Sequence, residues 1–172
     1  MKHKTVKLVD YSIVIPVYQN EGSIEATFKA LKENVIDINL QYTTEVIFID
    51  DGSTDNSFEI LMNLYEAYPE LIIVIKLTRN FGTYPAIIAG YEKAKGKCVI
   101  NISADLQEPP ELIHDMLKYH FKDNYNIVIC NRESRDEGVY RTVTSKIFYS
   151  VIKKLCFPNM PSGGFDFSLI GN

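Results

Sequence analysis

The chain has 172 residues, of which 46% are apolar and 23% charged, close to the averages for a soluble globular domain. These values exclude a disordered, collagenous or coiled-coil chain, and nine Gly and seven Pro are too few for low complexity. A net charge of −4, from 18 basic and 22 acidic side chains, speaks against duplex-DNA binding by bulk charge, and no nucleic-acid partner is expected. The longest apolar run, Leu71 to Ile75, is far below the roughly 20 residues that span a bilayer. Met1 to Asp10 is polar, with no signal-peptide core. Cys98, Cys130 and Cys156 are widely spaced and odd in number, which fits reduced, mostly buried thiols of a cytosolic protein better than a disulfide framework or zinc site.

In chain order, short apolar runs alternate with amphipathic segments. Tyr11–Val17 is the first expected strand; Ser23–Val35, with Ile24, Phe28, Leu31 and Val35 on one stripe, is the first expected helix. Glu45–Ile49 is the second strand, followed at once by Asp50-Asp51-Gly52-Ser53. Asp55–Tyr68 is the second helix, with Ser53 or Thr54 able to cap it. Leu71–Leu77 is the third strand, Tyr84–Lys95 the third helix, and Gly96 its C-terminal stop. Cys98–Ile102 is the fourth strand. Pro109-Pro110 opens a helix running to about Lys122, and Asn126–Cys130 is the fifth strand. A last helix is expected over Thr142–Leu155. Near-continuous apolar strands alternating with helices predict an α/β fold: a mostly parallel, Rossmann-like sheet sandwiched by helices, with ligands beyond the carboxyl ends of its strands. No linker or internal repeat divides the chain, so residues 1–172 are expected to form one domain.

Polar residues collect at those ends: Pro16 to Glu21, Asp50 to Asp55, Thr78 to Gly82, Ser103 to Pro110, and Asn131-Arg132. Adjacent carboxylates at Asp50-Asp51 repel, so they need an occupation. Capping of the next helix is one; accepting hydrogen bonds from a nucleobase or ribose is another. Asp105 and Gln107, with Glu108 beyond, place hard oxygen ligands suited to Mg²⁺ or Mn²⁺ shared with substrate phosphates. By themselves they would read as a turn before a proline-started helix; their place after the fourth strand raises them. Several absences narrow the chemistry. No G-x-G-x-x-G follows the first strand, and there is no P-loop and no G-x-S-x-G. A nucleotidyltransferase would need a glycine-rich phosphate loop with a basic residue, and Val14 to Ser23 has none. His3, His114 and His120 lie away from every strand end. From Arg132 to Lys154 six basic residues stand against three acidic ones, on an otherwise acidic chain. That stretch reads as a solvated helix face or as a surface for a phosphate-bearing or membrane-bound partner.

YSIVIPVYQNEGSI, VIFIDDGSTDNS, LTRNFGTYPAIIAGYEKAKG and ISADLQEPPELI, in that order, resemble family 2 glycosyltransferases of the GT-A fold. The likeness is strongest to the polyprenyl-phosphate sugar-transferase branch, such as dolichol-phosphate mannose synthase and undecaprenyl-phosphate glucosyltransferases. SGGFDFSLIGN resembles the family's G-D-F-x-L acceptor-side segment. The resemblance implies an inverting transfer of a sugar from a nucleotide-diphospho-sugar, UDP- or GDP-linked, to a polyprenyl phosphate or a glycan. It implies a divalent cation, Mg²⁺ or Mn²⁺, and work at the cytoplasmic membrane face. Pro16, Tyr18, Glu21, Asp50, Asp51, Arg79, Gly82, Ser103 and Ala104 would then line the donor site. Asp105 would hold the metal with help from Gln107. Arg132 and Arg135 would hold the acceptor phosphate, and Asp166 maps to the Asp of G-D-F-x-L. Asp105, Asp166 and Arg132 are the catalytic candidates.

The family's D-A-D-L-Q reads Ser103-Ala104-Asp105-Leu106-Gln107 here, which removes one metal-side carboxylate, and its N-E-E reads Gln19-Asn20-Glu21. These departures leave a catalytically weak or inactive nucleotide-sugar binder as the alternative. Members of the branch continue into membrane helices, so the resemblance also implies a domain cut short of acceptor-side and membrane segments.

Overall fold

The computed structural model describes residues 8–130 and 167–172, and all of these but Cys130 fall in one compact unit. The elements run β1 (Val9–Val17), α1 (Ile24–Leu31), a π-helical turn (Lys32–Ile36), β2 (Thr44–Asp50), α2 (Ser57–Ala67), β3 (Ile72–Lys76), α3 (Thr83–Lys93), β4 (Gly96–Asn101), α4 (Leu112–Phe121), β5 (Ile127–Ile129) and β6 (Ser168–Gly171). Every expected strand and helix within the described residues forms, with ends shifted by a few residues. The helix expected over Thr142–Leu155 lies outside them, as does Cys156. Cys98 is buried as expected, and burial pushes its thiol up to about 12.

The six strands form one sheet in the order β3-β2-β1-β4-β6-β5. β1, β2, β3 and β4 are parallel, and β6 runs antiparallel between β4 and β5. The sheet is therefore mostly parallel, with one reversed strand that the apolar pattern did not announce. β6 comes from the Phe167–Gly171 end of the acceptor-like segment, and its Leu169 is fully buried opposite Ile100.

Helices cover both faces. Val14, Ile47, Ile49 and Val99 point to one side and pack with Ala86 of α3, with Tyr91 and Ala94 around them. Gly90 lets α3 come close: a Cβ there would lie 2.5 Å from Val14 Cγ1. On the other face Phe48 meets Phe28 of α1, Tyr11 meets Tyr42, and Tyr42 stacks on Phe121 of α4 at 4.7 Å. Each fully buried Ile, Leu or Phe in these layers contributes about 1.5–3 kcal/mol of transfer free energy.

A buried polar lock ties the strand starts together. Ser12 Oγ donates to Glu45 Oε1 at 2.7 Å, while the Gly96 N–H donates to Ser12 Oγ and the Lys95 N–H to Glu45 Oε1. It joins β1, β2 and the α3–β4 turn, and fixes which strand ends emerge level on the far side. There the register aligns Val17 with Asp50 and Asp50 with Lys76. The sequence crosses from β3 to β4 on the opposite side of β1, so the topological switch lies between β1 and β4. Among the described residues, no helix is long and apolar enough to cross a membrane.

Candidate functional site

In an open parallel sheet the chain leaves neighbouring strands in opposite directions at the switch point, and a crevice opens there. Its walls are the loops after β1 and β4, flanked by the loops after β2 and β3. Hydrogen bonds sew these loops together.

The β1 and β2 loops are joined first. Gln19 N–H donates to Ser53 Oγ, Asn20 N–H to Ser57 Oγ at 2.9 Å, and Gln19 Nε2 to Thr54 Oγ1. Glu21 and Asp55 exchange bonds: the Glu21 N–H donates to Asp55 Oδ2, and the Asn56 N–H donates to Glu21 Oε2 at 2.9 Å. Asp55 also accepts from the Ser57 N–H, so of the residues before α2 it is Asp55, and not Ser53 or Thr54, that serves the helix start. Burial pushes the Asp55 carboxyl up, but hydrogen bonds from Ser57 and Glu21 outweigh it and leave the carboxyl below its ordinary value. Gln19 takes a left-handed backbone, φ 55°, to make the turn. Glu21, expected at the donor, thus spends one oxygen on the neighbouring loop.

The β2 and β3 loops are joined by Asp51. Its Oδ1 accepts from the Phe81 N–H and its Oδ2 from the Gly82 N–H, each at 2.8 Å. Asp51 is only 2% exposed. Gly52 sits beneath the Arg79 backbone, where an added Cβ would come within 2.5 Å of the Arg79 carbonyl carbon. Asp50 is fully buried, with Oδ1 accepting from the Ser53 N–H and Oδ2 without a partner among the described residues. The two adjacent carboxylates therefore have separate occupations, one under each loop. Arg79 is exposed and its guanidinium lies 4.6 Å from the Phe81 ring centroid, a cation–π platform at the mouth. Tyr18 is 43% exposed, with its N–H on Asn20 Oδ1. Pro16, at the end of β1, is partly exposed.

The loop after β4 carries the metal candidates. Ser23 Oγ and Thr27 Oγ1 of α1 both donate to the Ala104 carbonyl, at 2.6 and 2.9 Å. Ser103 donates to Glu108 Oε2 through its backbone N–H at 3.2 Å and through its hydroxyl. Between them Leu106 is held at φ 58°, a left-handed conformation that costs a non-glycine residue about 1–2 kcal/mol. Asp105 is exposed, and Gln107 donates to it from both N–H and Nε2, the latter at 2.6 Å. Among the described residues no three His, Cys, Asp or Glu side chains converge.

The sequence residues Pro16, Tyr18, Glu21, Asp50, Asp51, Arg79, Gly82, Ser103, Ala104, Asp105 and Gln107 all lie at this end of the sheet. Arg132, Arg135 and Asp166 lie outside the described residues. Ser23, Thr27 and Phe81 were missed, and Glu108, read in the sequence as one of the oxygen ligands beside Asp105, instead accepts from Ser103. Only the Ser23/Thr27 spacing, four residues apart on one helix face, was a signal available in advance.

The family model for glycosyl transferase family 2 matches residues 12–170. The chain belongs to that family. It is 38% identical to an uncharacterized glycosyltransferase of Synechocystis sp., over 94% of this chain and 50% of that protein. It is 37% identical to the undecaprenyl-phosphate 4-deoxy-4-formamido-L-arabinose transferase of Photorhabdus laumondii, over 90% of this chain and 46% of that one. The chain thus spans about half the length of the curated relatives it matches. Among solved structures it resembles the mannosyltransferase PcManGT of Pyrobaculum calidifontis, in complex with GDP-Man and Mn²⁺, with TM-score 0.65 and 18% identity over 94% of this chain and 44% of that one. It also resembles S. aureus TarS in complex with UDP, with TM-score 0.59 and 21% identity over 76% of this chain and 38% of that one. The fold of this family 2 member is GT-A.

Proposed function

We propose that this family 2 domain binds a nucleotide-diphospho-sugar, UDP- or GDP-linked, and transfers its sugar with inversion to a polyprenyl phosphate, at the cytoplasmic face of a membrane. The carrying observation is the crevice at the β1/β4 switch, where an exposed carboxylate, Asp105, stands on an anchored loop and an exposed guanidinium, Arg79, lies at the mouth. Relatives named as undecaprenyl-phosphate sugar transferases support the acceptor class.

Residues 1–172 act in this reading as a single donor-binding domain. Tyr18 offers its ring to the base or ribose, with Pro16, Glu21 and Asp51 shaping that side. Asp50 and Asp51 hold the Ser53 and Phe81–Gly82 backbones that wall it. Arg79 and Gly82 face the diphosphate, and Ser103 and Ala104 set its floor. Asp105, with Gln107, would hold Mg²⁺ or Mn²⁺, which would supply positive charge against the leaving diphosphate, the main electrostatic demand of the reaction. The acceptor is an oxyanion at neutral pH, so it needs holding more than deprotonation, and Arg132 and Arg135 would do that. Its oxygen attacks the anomeric carbon as the bond to the diphosphate oxygen breaks. Asp166 would touch the acceptor.

Thermal unfolding against UDP, GDP, CDP and ADP, with and without Mn²⁺, tests this. A ligand of the native state raises the midpoint by mass action, so one nucleotide should give a metal-dependent shift that Asp105→Ala abolishes. No shift with any of them defeats the reading. The alternative of a non-transferring binder rests on Ser103 and Asn20; donor binding without sugar transfer by the longer protein would establish it.

A further inference from the structure

Serine at 103 stands where the family's pattern has a carboxylate, and by sequence it reads as a loss. The structure gives it a different part. Its N–H and its hydroxyl both donate to one oxygen of Glu108, five residues on. That closure spans Ala104, whose carbonyl is taken by Ser23 and Thr27, and Leu106, whose backbone is left-handed. It also spans Asp105, which keeps both Gln107 donors. A strained backbone persists only where its surroundings over-determine it. Here the restraint at one end comes from α1 and at the other from Glu108. Ala104 is 3% exposed while Asp105 is exposed, so the loop turns its carboxylate outward from a buried anchor.

We propose that Glu108 is a positioning residue: by accepting from both donors of Ser103 it closes the 103–108 loop and presents Asp105, so that Ser103 is an anchor of the site and not a missing ligand. This rests on the reading of Asp105 as the donor-side metal carboxylate. An aspartate at 103 could not serve in the same way, because two carboxylates would face each other.

Glu108→Ala, Glu108→Gln, Ser103→Ala and the Ser103→Ala/Glu108→Ala double variant are compared in two measurements. The first is the Mn²⁺ concentration giving half of the nucleoside-diphosphate thermal shift. Loss of a bond to a charged acceptor is worth about a tenfold change, so Glu108→Ala should raise that concentration about tenfold. Glu108→Gln keeps an acceptor oxygen and should restore most of it, and the double variant should be no worse than Glu108→Ala. The second is hydrogen exchange of the Ser103 and Gln107 amides, which needs no donor; Glu108→Ala should speed it about tenfold while the unfolding midpoint of the free protein stays within a few degrees. A Glu108→Gln variant as impaired as Glu108→Ala would make the charge itself the requirement and overturn the proposal. So would single effects that multiply in the double variant, or unchanged exchange. If the unsubstituted protein shows no metal-dependent shift at all, the donor-binding reading fails, and exchange alone then decides whether Glu108 closes the loop.

Discussion

Asp51 and Phe81 are 30 residues apart, yet the Asp51 carboxylate receives the Phe81 N–H at 2.8 Å and, through its other oxygen, the Gly82 N–H at the same distance. The same Phe81 carries the Arg79 guanidinium on its ring. A buried carboxylate beneath β2 therefore sets the position of an exposed cation after β3. Asp51→Asn keeps the shape but turns an NH₂ toward one of two backbone donors. It should cost about 1–3 kcal/mol, read as a lower urea midpoint with unchanged slope.

Arg79→Ala should separate binding from stability. The side chain is exposed, so the unfolding midpoint should stay within about a degree or two, as for most surface changes. The nucleoside-diphosphate shift should fall sharply, and Arg79→Lys should not recover it, because a lysine lacks the planar fork that both stacks on Phe81 and grips a phosphate. A thermal shift as large as that of the unsubstituted protein would remove Arg79 from the site.

Gly52 and Gly82 both have positive φ, 70° and 98°, but differ in surroundings. Alanine at 82 meets nothing within 4 Å, so it should cost only the backbone penalty; with ψ 162° the residue is in a region that only glycine adopts readily, and that penalty is about 1–3 kcal/mol. Alanine at 52 meets the Arg79 and Asn80 backbones at 2.5–2.7 Å, so the β3 loop itself must shift. Gly52→Ala should lower the urea midpoint more than Gly82→Ala and weaken donor binding as well.

Asp10 makes stability depend on acid. Burial alone would raise its carboxyl, but hydrogen bonds from Lys97 and Thr43 prevail and hold it below the ordinary value. A group depressed in the folded state stabilises fully above its unfolded pKa, about 3.9, and that contribution is lost as pH falls through the folded value. Asp10→Asn should therefore be less stable than the unsubstituted protein at pH 7, and the gap should close as the pH falls below about 3.9. Urea unfolding at a series of pH values from 7 to well below about 3.9 measures it.

The five apolar runs, the helical stripes and the polar strand ends were local patterns, so the layered α/β class and the region of the site could be read from the residues alone. Asp105 and Arg79 could be placed at one end of the sheet because a parallel sheet brings its strand ends to one edge whatever the loop details, while the part expected of Arg79 came from the family resemblance. Local pattern could not show β6, a short strand made only by pairing with β4 and β5 from a segment more than 60 residues beyond β4. Nor could it show what the carboxylates do. Asp51 and Glu21 are of one chemical kind in the chain, and each is given its occupation by a backbone N–H that a stretch 30 or more residues away brings within about 3 Å. Sequence determined which elements form and where their reactive residues collect, because periodicity and burial act over a few neighbours. Only the tertiary structure decided which oxygen meets which donor, because hydrogen-bond geometry is set by the register of strands and the approach of loops distant in the chain.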